Sequence, residues 1–291
     1  MPYIALVEYD LPTRVSVSRS TASSSVKKTI RGLRTTIDYL VTERPAIVHA
    51  TAVHCNGYPM YEQVMALRGD ALLYLDSRQS ADMVISEEAL RNRLDAMTSR
   101  RLRLIYSGRF DRMKGALDAV RVGLACRERG LAFEFDLFGQ GVQREEMMRA
   151  IEEAGAEDQI RIHAPIPFAE LFENSKTYDI FVCCHDQGDP SCTYLEAFGA
   201  GLPIVGYDNA MWHSLLAESD GGIKVPVGAF EQAADALVTL ANDIERLAKV
   251  SRNARAFALE HAFEHEFARR IESLELNYGL ATMRAAVSSA P

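Results

Sequence analysis

The stretch from Asp186 to Ile204 (DQGDPSCTYLEAFGAGLPI) constrains this chain most, because it follows one short apolar run and leads into another. The run before it, Tyr178–Cys184 (YDIFVCC), has the composition of a strand in a parallel sheet covered on both faces. Gly188 and Pro190 interrupt that run, and the fixed φ of Pro190 suits a helix start. Ser191, Cys192 and Thr193 would then offer backbone amides at the positive end of a helix dipole, which favours phosphate oxygens. Glu196 follows Cys192 by about one helical turn, within reach of paired ribose hydroxyls. Gly199 and Gly201 stop the helix and Pro203 opens the next strand.

The same alternation runs upstream. Strands are predicted over Leu102–Ser107, Ala132–Leu137 and Gln159–His163, and helices over Gly115–Arg129, Gln143–Ala154 and Phe168–Ser175. In the first helix Leu117, Val120, Leu124 and Ala125 recur at helical spacing. Such alternation implies an α/β fold with a doubly wound parallel sheet and ligand loops at the carboxyl ends of its strands. Two further loops lie on that edge. In the first, Gly108 permits a tight turn, and Arg109 and Lys114 place cations where a departing diphosphate could be neutralised. In the second, Gly139 and Gly141 permit close backbone approach, a weak signal taken alone.

These three segments, in this order, resemble the nucleotide-binding half of a retaining family 4 glycosyltransferase (glycosyl transferases group 1) with the two-domain GT-B fold. The resemblance is strong over 102–267 and weak before it. In that family a GR(x)4KG motif holds the donor diphosphate, which implies Arg109 and Lys114 here. The second glutamate of its E(x)7E motif binds the ribose and corresponds to Glu196. The first falls at Gly188, so contact to donor-sugar hydroxyls would come from Asp186, Asp189 or backbone amides, with Asp189 preferred. The resemblance further implies two Rossmann-like domains: an acceptor-side domain over 1–99, either reduced or lacking a front portion, a complete nucleotide-sugar domain over 100–262 and a helix over 263–280 crossing back to the first. The residues 281–291 read as a disordered tail.

The first third is less patterned. Strands are expected at Tyr3–Tyr9, Pro45–Thr51, Ala71–Leu75 and Ala81–Ile85, helices at Ser25–Thr42 and Tyr61–Leu67, and a helix cap at Ser86. No glycine precedes Gly32, so the glycine-rich first loop of the family is missing. His49 reads as a packed residue at a strand end. His54, in the turn-like HCNGYP, is a candidate to touch acceptor or donor sugar in the cleft. Asp76 is its rival, standing where the family's cleft histidine would be expected. Trp212 is divided between a donor-side loop and core packing.

Composition sets limits. A chain of 291 residues, 48% hydrophobic, can bury the cores of two domains. The net charge of −8 argues against a nucleic-acid partner and against a strongly electrostatic membrane anchor, while leaving local basic patches open. No run approaches the roughly 20 apolar residues of a membrane span, and the amino terminus lacks a secretory leader, so a cytoplasmic protein is expected, with peripheral contact at the inner face of a membrane left open. The five cysteines read as reduced thiols. Cys183, Cys184 and His185, and the pair His261 and His265, are poor metal candidates, because strand alternation separates the former and acidic neighbours solvate the latter.

The reading is a metal-independent glycosyltransferase of the hexosyltransferase type that needs no cofactor. It would pass a sugar from a nucleotide-diphosphate donor to a carbohydrate, lipid-linked or small-molecule hydroxyl. The alternatives are a nucleotide-sugar-binding module without transfer activity and a sugar-nucleotide epimerase of the same architecture. The base, the sugar and the oligomeric state are left open by the sequence.

Overall fold

The structure, a computed structural model, describes residues 2–20 and 24–278; the tail expected to be disordered lies outside them. The chain divides into two compact units. One comprises the residues up to Asp76, Gly188–Ser191 and the segment from Phe263 on; the other comprises Ser77–Gln187 and Cys192–Ala262.

The first unit begins with β1 (Ile4–Val7), α1 (Leu11–Ser20) and α2 (Ser25–Asp38), continues through a π turn at Tyr39–Glu43 into α3 (Arg44–His49), and ends this stretch with β2 (Ala52–Asn56), α4 (Tyr58–Arg68) and β3 (Leu72–Tyr74). Its three strands form a parallel sheet in the order β1-β2-β3. Tyr39, Ile47, Val53, Cys55, Met60 and Val64 form a small buried core.

Three expectations fail in this unit. Most of the run Pro45–Thr51 lies in helix α3 (Arg44–His49), because Pro45 occupies its first turn and Ile47 and Ala50, three residues apart, are buried while Val48 and His49 between them are exposed. The strand follows it, so His49 ends a helix and His54 lies within β2, not in a loop. Helix α1 was not foreseen; its serines and threonine carry almost no apolar periodicity.

The second unit runs α5 (Glu87–Ala96), β4 (Leu102–Ser107), α6 (Ala116–Glu128), β5 (Phe133–Phe138), α7 (Arg144–Glu153), β6 (Ile160–His163), α8 (Phe168–Ser175), β7 (Ile180–Cys183), α9 (Thr193–Gly199), β8 (Ile204–Tyr207), α10 (Ala210–Ser219), β9 (Gly222–Val225), α11 (Phe230–Asn242) and α12 (Ile244–Glu260). Its six strands are all parallel, in the order β6-β5-β4-β7-β8-β9. Chain direction across the sheet reverses between β4 and β7, and a doubly wound sheet leaves a crevice beyond the carboxyl ends of its strands at that point.

The boundary at 99 expected from sequence moves to Asp76, because the segment after it packs on the second unit. Ala81–Ile85 is not a strand; it holds a short 3-10 turn at Ala81–Met83, and the Ile85 amide donates to the Gly199 carbonyl. Ser86 caps α5 as expected, accepting from the Ala89 amide. Leu90 and Leu94 of α5 join the main core. The Arg93 guanidinium donates to the carbonyls of Lys176, Ala200 and Gly201, which satisfies acceptors left over at the end of α9. Burial lowers its pKa to about 10, so Arg93 stays charged.

The last described helix, α13 (Phe263–Tyr278), groups with the first unit. Its buried Glu266 accepts from the Leu75 amide, and Arg270 stacks on the Tyr74 ring at 4.2 Å. The helix expected over 263–280 is α13, which starts at Phe263, with two residues between it and the end of α12 at Glu260.

Arg93→Met keeps much of the volume but leaves three carbonyls without their donor, and is expected to cost on the order of 3 kcal/mol in urea unfolding. A cost under about 1 kcal/mol would show that these carbonyls find other partners.

Candidate functional site

The carboxyl edge of the six-stranded sheet is built from loops that cross at close range. The loop after β4 is held from beneath by Tyr106, fully buried, whose hydroxyl lies 3.0 Å from the Arg109 carbonyl and 3.2 Å from that of Lys114. Asp111 accepts from the Lys114 amide at 2.9 Å, and Gly115 ends the loop in the left-handed region with φ +62°. A Cβ on Gly115 would fall 1.9 Å from the Cys184 carbonyl oxygen, so this glycine lets the β4 loop lie on the end of β7.

The loop after β5 crosses the same loop from the other side. The amide of Phe110 donates to the Gln140 carbonyl at 2.8 Å and that of Gly108 to the Phe138 carbonyl at 3.1 Å. A Cβ on Gly139 would sit 2.0 Å from the Gly108 carbonyl, and one on Gly141 would sit 2.4 Å from that of Phe110. Close backbone approach does explain both glycines, but what approaches them is the neighbouring loop.

Between these loops and α9 lies a cavity of about 330 Å³, lined by Gly108, Arg109, Phe138, Gly139, Thr193 and Glu196, with Pro165, Ile166 and Arg78 on its wall. The Phe138 ring is stacked on His163 at 4.6 Å, and His163 is hydrogen-bonded to the mostly buried Asp136, which fixes this wall. Glu196 accepts from Arg78 at 2.8 Å, and the Arg78 guanidinium lies 4.2 Å over the Phe168 ring. Arg78 has no counterpart in the sequence reading. It stands 118 positions from Glu196, and only the fold pairs them. Its neighbour Gln79 is fully buried against Gly199 of α9, where a Cβ would meet Gln79 Oε1 at 2.1 Å.

Other candidates fall elsewhere. Helix α9 starts at Thr193 with Cys192 as its cap, so Pro190 does not begin it. The Ser191 amide, expected to face a ligand, donates to the Asp189 carbonyl at 2.8 Å. Lys114 is buried on the far end of its loop and, like Gly141 and Cys192, is not on the cavity wall. Asp189 groups with the first unit. Together with Asp76 it raises the pKa of Glu8, for which burial is the larger cause, so three carboxylates lie near one another there. His54 is hydrogen-bonded through Nε2 to Ser273 of α13 at 2.9 Å, and burial and then Arg270 lower its pKa. Trp212 is a core residue, fully buried and stacked on Tyr194 at 5.9 Å. Asp186 lines a second cavity with Arg112, Asp118 and Tyr207, and burial raises its pKa. Among the described residues no cluster of His, Cys, Asp and Glu is arranged to hold a metal ion, and all five cysteines are free thiols.

His185, directly after β7, is fully buried; burial, then Lys114 and Arg109, push its imidazole well below the ordinary 6.5. It is neutral, packs edge-on against Tyr194 at 5.7 Å, and its backbone carbonyl accepts from Asn209.

The model of the family described as glycosyl transferases group 1 matches residues 92–257. A curated relative, the UDP-N-acetylglucosamine–peptide N-acetylglucosaminyltransferase GtfA subunit of Streptococcus gordonii, is 27% identical over 95 residues, which is 32% of this chain and 18% of that one. The solved structure of HepE from Anabaena, in complex with UDP and glucose, superposes with a TM-score of 0.69 at 15% identity, covering 94% of this chain and 71% of that one. The structure of TarM from S. aureus, a complex that includes UDP, gives 0.60 at 12% identity, covering 79% and 45%. The chain thus spans less than half the length of TarM and under a fifth of GtfA. At these identities the structural likeness speaks to the fold. It is the α/β, GT-B type expected from sequence, and among the described residues the amino-terminal sheet has three strands.

Because folded His185 binds its proton only well below pH 6.5, the unfolded chain takes up that proton first as pH falls. Stability is full above about 6.5 and declines below it, with a slope approaching about 1.4 kcal/mol per pH unit from this residue. Urea unfolding between about pH 7 and 5.5 is expected to show that decline in the wild type and less of it in His185→Gln. Equal slopes in the two proteins would place the proton uptake elsewhere.

Proposed function

The chain belongs to the glycosyl transferases group 1 family, and from that premise we propose that it transfers a sugar from a nucleoside diphosphate sugar to an acceptor hydroxyl, with retention at the anomeric carbon. The observation that carries this reading is the cavity at the point where the sheet order reverses, with Glu196 on one wall and Arg109 and Gly108 on another. Glu196 would accept from the ribose hydroxyls, exchanging or sharing its contact with Arg78. Pro165 and Ile166 would offer an apolar surface to the base. Arg109, largely exposed beside Asp111, can turn toward the diphosphate.

In the transfer step the bond between the anomeric carbon and the diphosphate oxygen breaks and the leaving group takes the electron pair. The acceptor oxygen bonds the same carbon from the same face, and its proton passes to the departing phosphate. Arg109, on the cavity wall, meets the developing negative charge in place of a metal ion, and buried Lys114 contributes only through its charge from behind the loop. The first unit would serve the acceptor, with Asp189 and its neighbours Glu8 and Asp76 as the carboxylates available to sugar hydroxyls. A donor-binding module without transfer is the second reading. It is favoured by Gly188, which stands where the family's first glutamate is expected, and by the three-stranded first sheet.

UDP is the nucleotide held in the HepE and TarM structures and is the first to test, against GDP and ADP and their sugar conjugates. A nucleotide at about 100 times its Kd is expected to stabilise the chain by about 2.7 kcal/mol, a rise of a few degrees in Tm, and Glu196→Ala is expected to abolish most of it. No shift with any nucleotide would contradict donor binding. A shift without hexose transfer or donor conversion would favour the binding module.

A further inference from the structure

Helix α2 is turned inside out relative to an ordinary surface helix. Its inward face is small and polar: buried Gly32 lies so close to α1 that a Cβ would sit 2.6 Å from Arg19 Nε, and Thr35 Oγ1 donates to Ser18 Oγ at 3.0 Å. Its apolar residues face out. Val26, Ile30, Leu33 and Ile37 are 69, 60, 60 and 49% exposed, and Leu40 and Val41 extend the line through the π turn at 51 and 69%. Spacings of four, three, four and three residues put the first five on one stripe. Solitary exposed apolar residues are ordinary on a protein surface, but a continuous stripe of this length marks a contact surface.

The charges beside the stripe say what covers it. Helix α2 carries Lys27, Lys28, Arg31 and Arg34 against the single acid Asp38, in a chain whose net charge is −8. On a helical wheel Lys27 and Arg34 fall next to the stripe. There their aliphatic stems can lie along apolar material while the charges stay at a polar boundary. A second copy is a poorer occupant: Asp38, the one acid of the helix, is engaged by Arg34 of its own turn at 3.7 Å, so the flank formed by Lys27, Arg34 and Asp38 keeps a net positive charge and two copies would bring two such flanks together. An apolar stripe edged by lysine and arginine fits an interface that is hydrocarbon in its depth and negative at its surface.

We propose that α2 is a membrane-surface helix, which lies in the plane of an anionic lipid bilayer with Val26, Ile30, Leu33, Ile37 and Leu40 inserted and Lys27 and Arg34 at the headgroups. The first unit would thereby hold the protein at a lipid surface. The proposal stands independently of the donor site. No described helix is long and apolar enough to cross a membrane, so the contact is peripheral.

The test is flotation of the full chain with vesicles of phosphatidylglycerol and phosphatidylcholine in equal parts, and with phosphatidylcholine alone. Binding to the anionic vesicles is expected. It should weaken about tenfold or more in Leu33→Glu and in the double variant Lys27→Glu and Arg34→Glu, and fall as salt rises to about 0.5 M. These positions are exposed, so wild-type melting is expected of each variant. Leu33→Trp gives a second readout: Trp212 is the only native tryptophan and is fully buried, so a blue shift of emission on adding anionic vesicles reports insertion at position 33. Failure to bind anionic vesicles, or binding that these substitutions leave unchanged, would overturn the proposal. So would sedimentation that shows a dimer which Leu33→Glu dissociates while the lipid has no effect.

Discussion

Arg93 sets the position of the helix on which the candidate site depends. Helix α9 is only seven residues long and too short to hold itself by propensity or dipole. Its carboxyl end is satisfied from outside, by the Ile85 amide on the Gly199 carbonyl and by the Arg93 guanidinium on the carbonyls of Ala200 and Gly201. The same guanidinium reaches Lys176 just before β7. One buried cation therefore ties α5, the end of α8 and the end of α9 together, and Glu196 takes its place from that anchor.

The loops on the sheet edge follow a second constraint, steric in origin. Gly115, Gly139 and Gly141 stand where a Cβ would collide with a neighbouring carbonyl. The glycine pattern that suggested ligand contact is first of all a record of one loop lying on another. Ligand chemistry is then added on that base by side chains: Arg109 on the outside of the β4 loop and Glu196 at the first turn of α9. Within the loops, burial and then the nearby cations Lys114 and Arg109 keep His185 neutral, and Tyr106 holds the turn from below, so the polar interior of this edge is committed to its own architecture.

How much of this the sequence discloses depends on whether a feature is local. The strand Leu102–Ser107 and the helix Phe168–Ser175 are read to the residue, because apolar runs and periodicity are local signals. The cavity residues Gly108, Arg109, Gly139, Thr193 and Glu196 are legible through motif spacing, and the structure gathers them. Arg78 and Arg93 are invisible, since each acts on residues more than 80 positions away. The amino-terminal third misleads for a related reason. Pro45-Ala-Ile-Val-His reads equally as a short buried strand or a helical turn, and the π turn that carries α2 into α3 decides it. Helix α2 has the clearest helical periodicity in that third, yet periodicity alone does not show that its apolar face points outward.

The central claim is that the nucleotide occupies the cavity between the β4 and β5 loops and α9. Hydrogen–deuterium exchange of the full chain with and without saturating UDP tests it most directly. The account predicts slowed exchange in peptides covering Ser107–Phe110, Phe138–Gln140 and Thr193–Glu196, with little change around Arg112, Asp118 and Tyr207. Protection confined to the latter group would move the nucleotide to the second cavity and contradict the account.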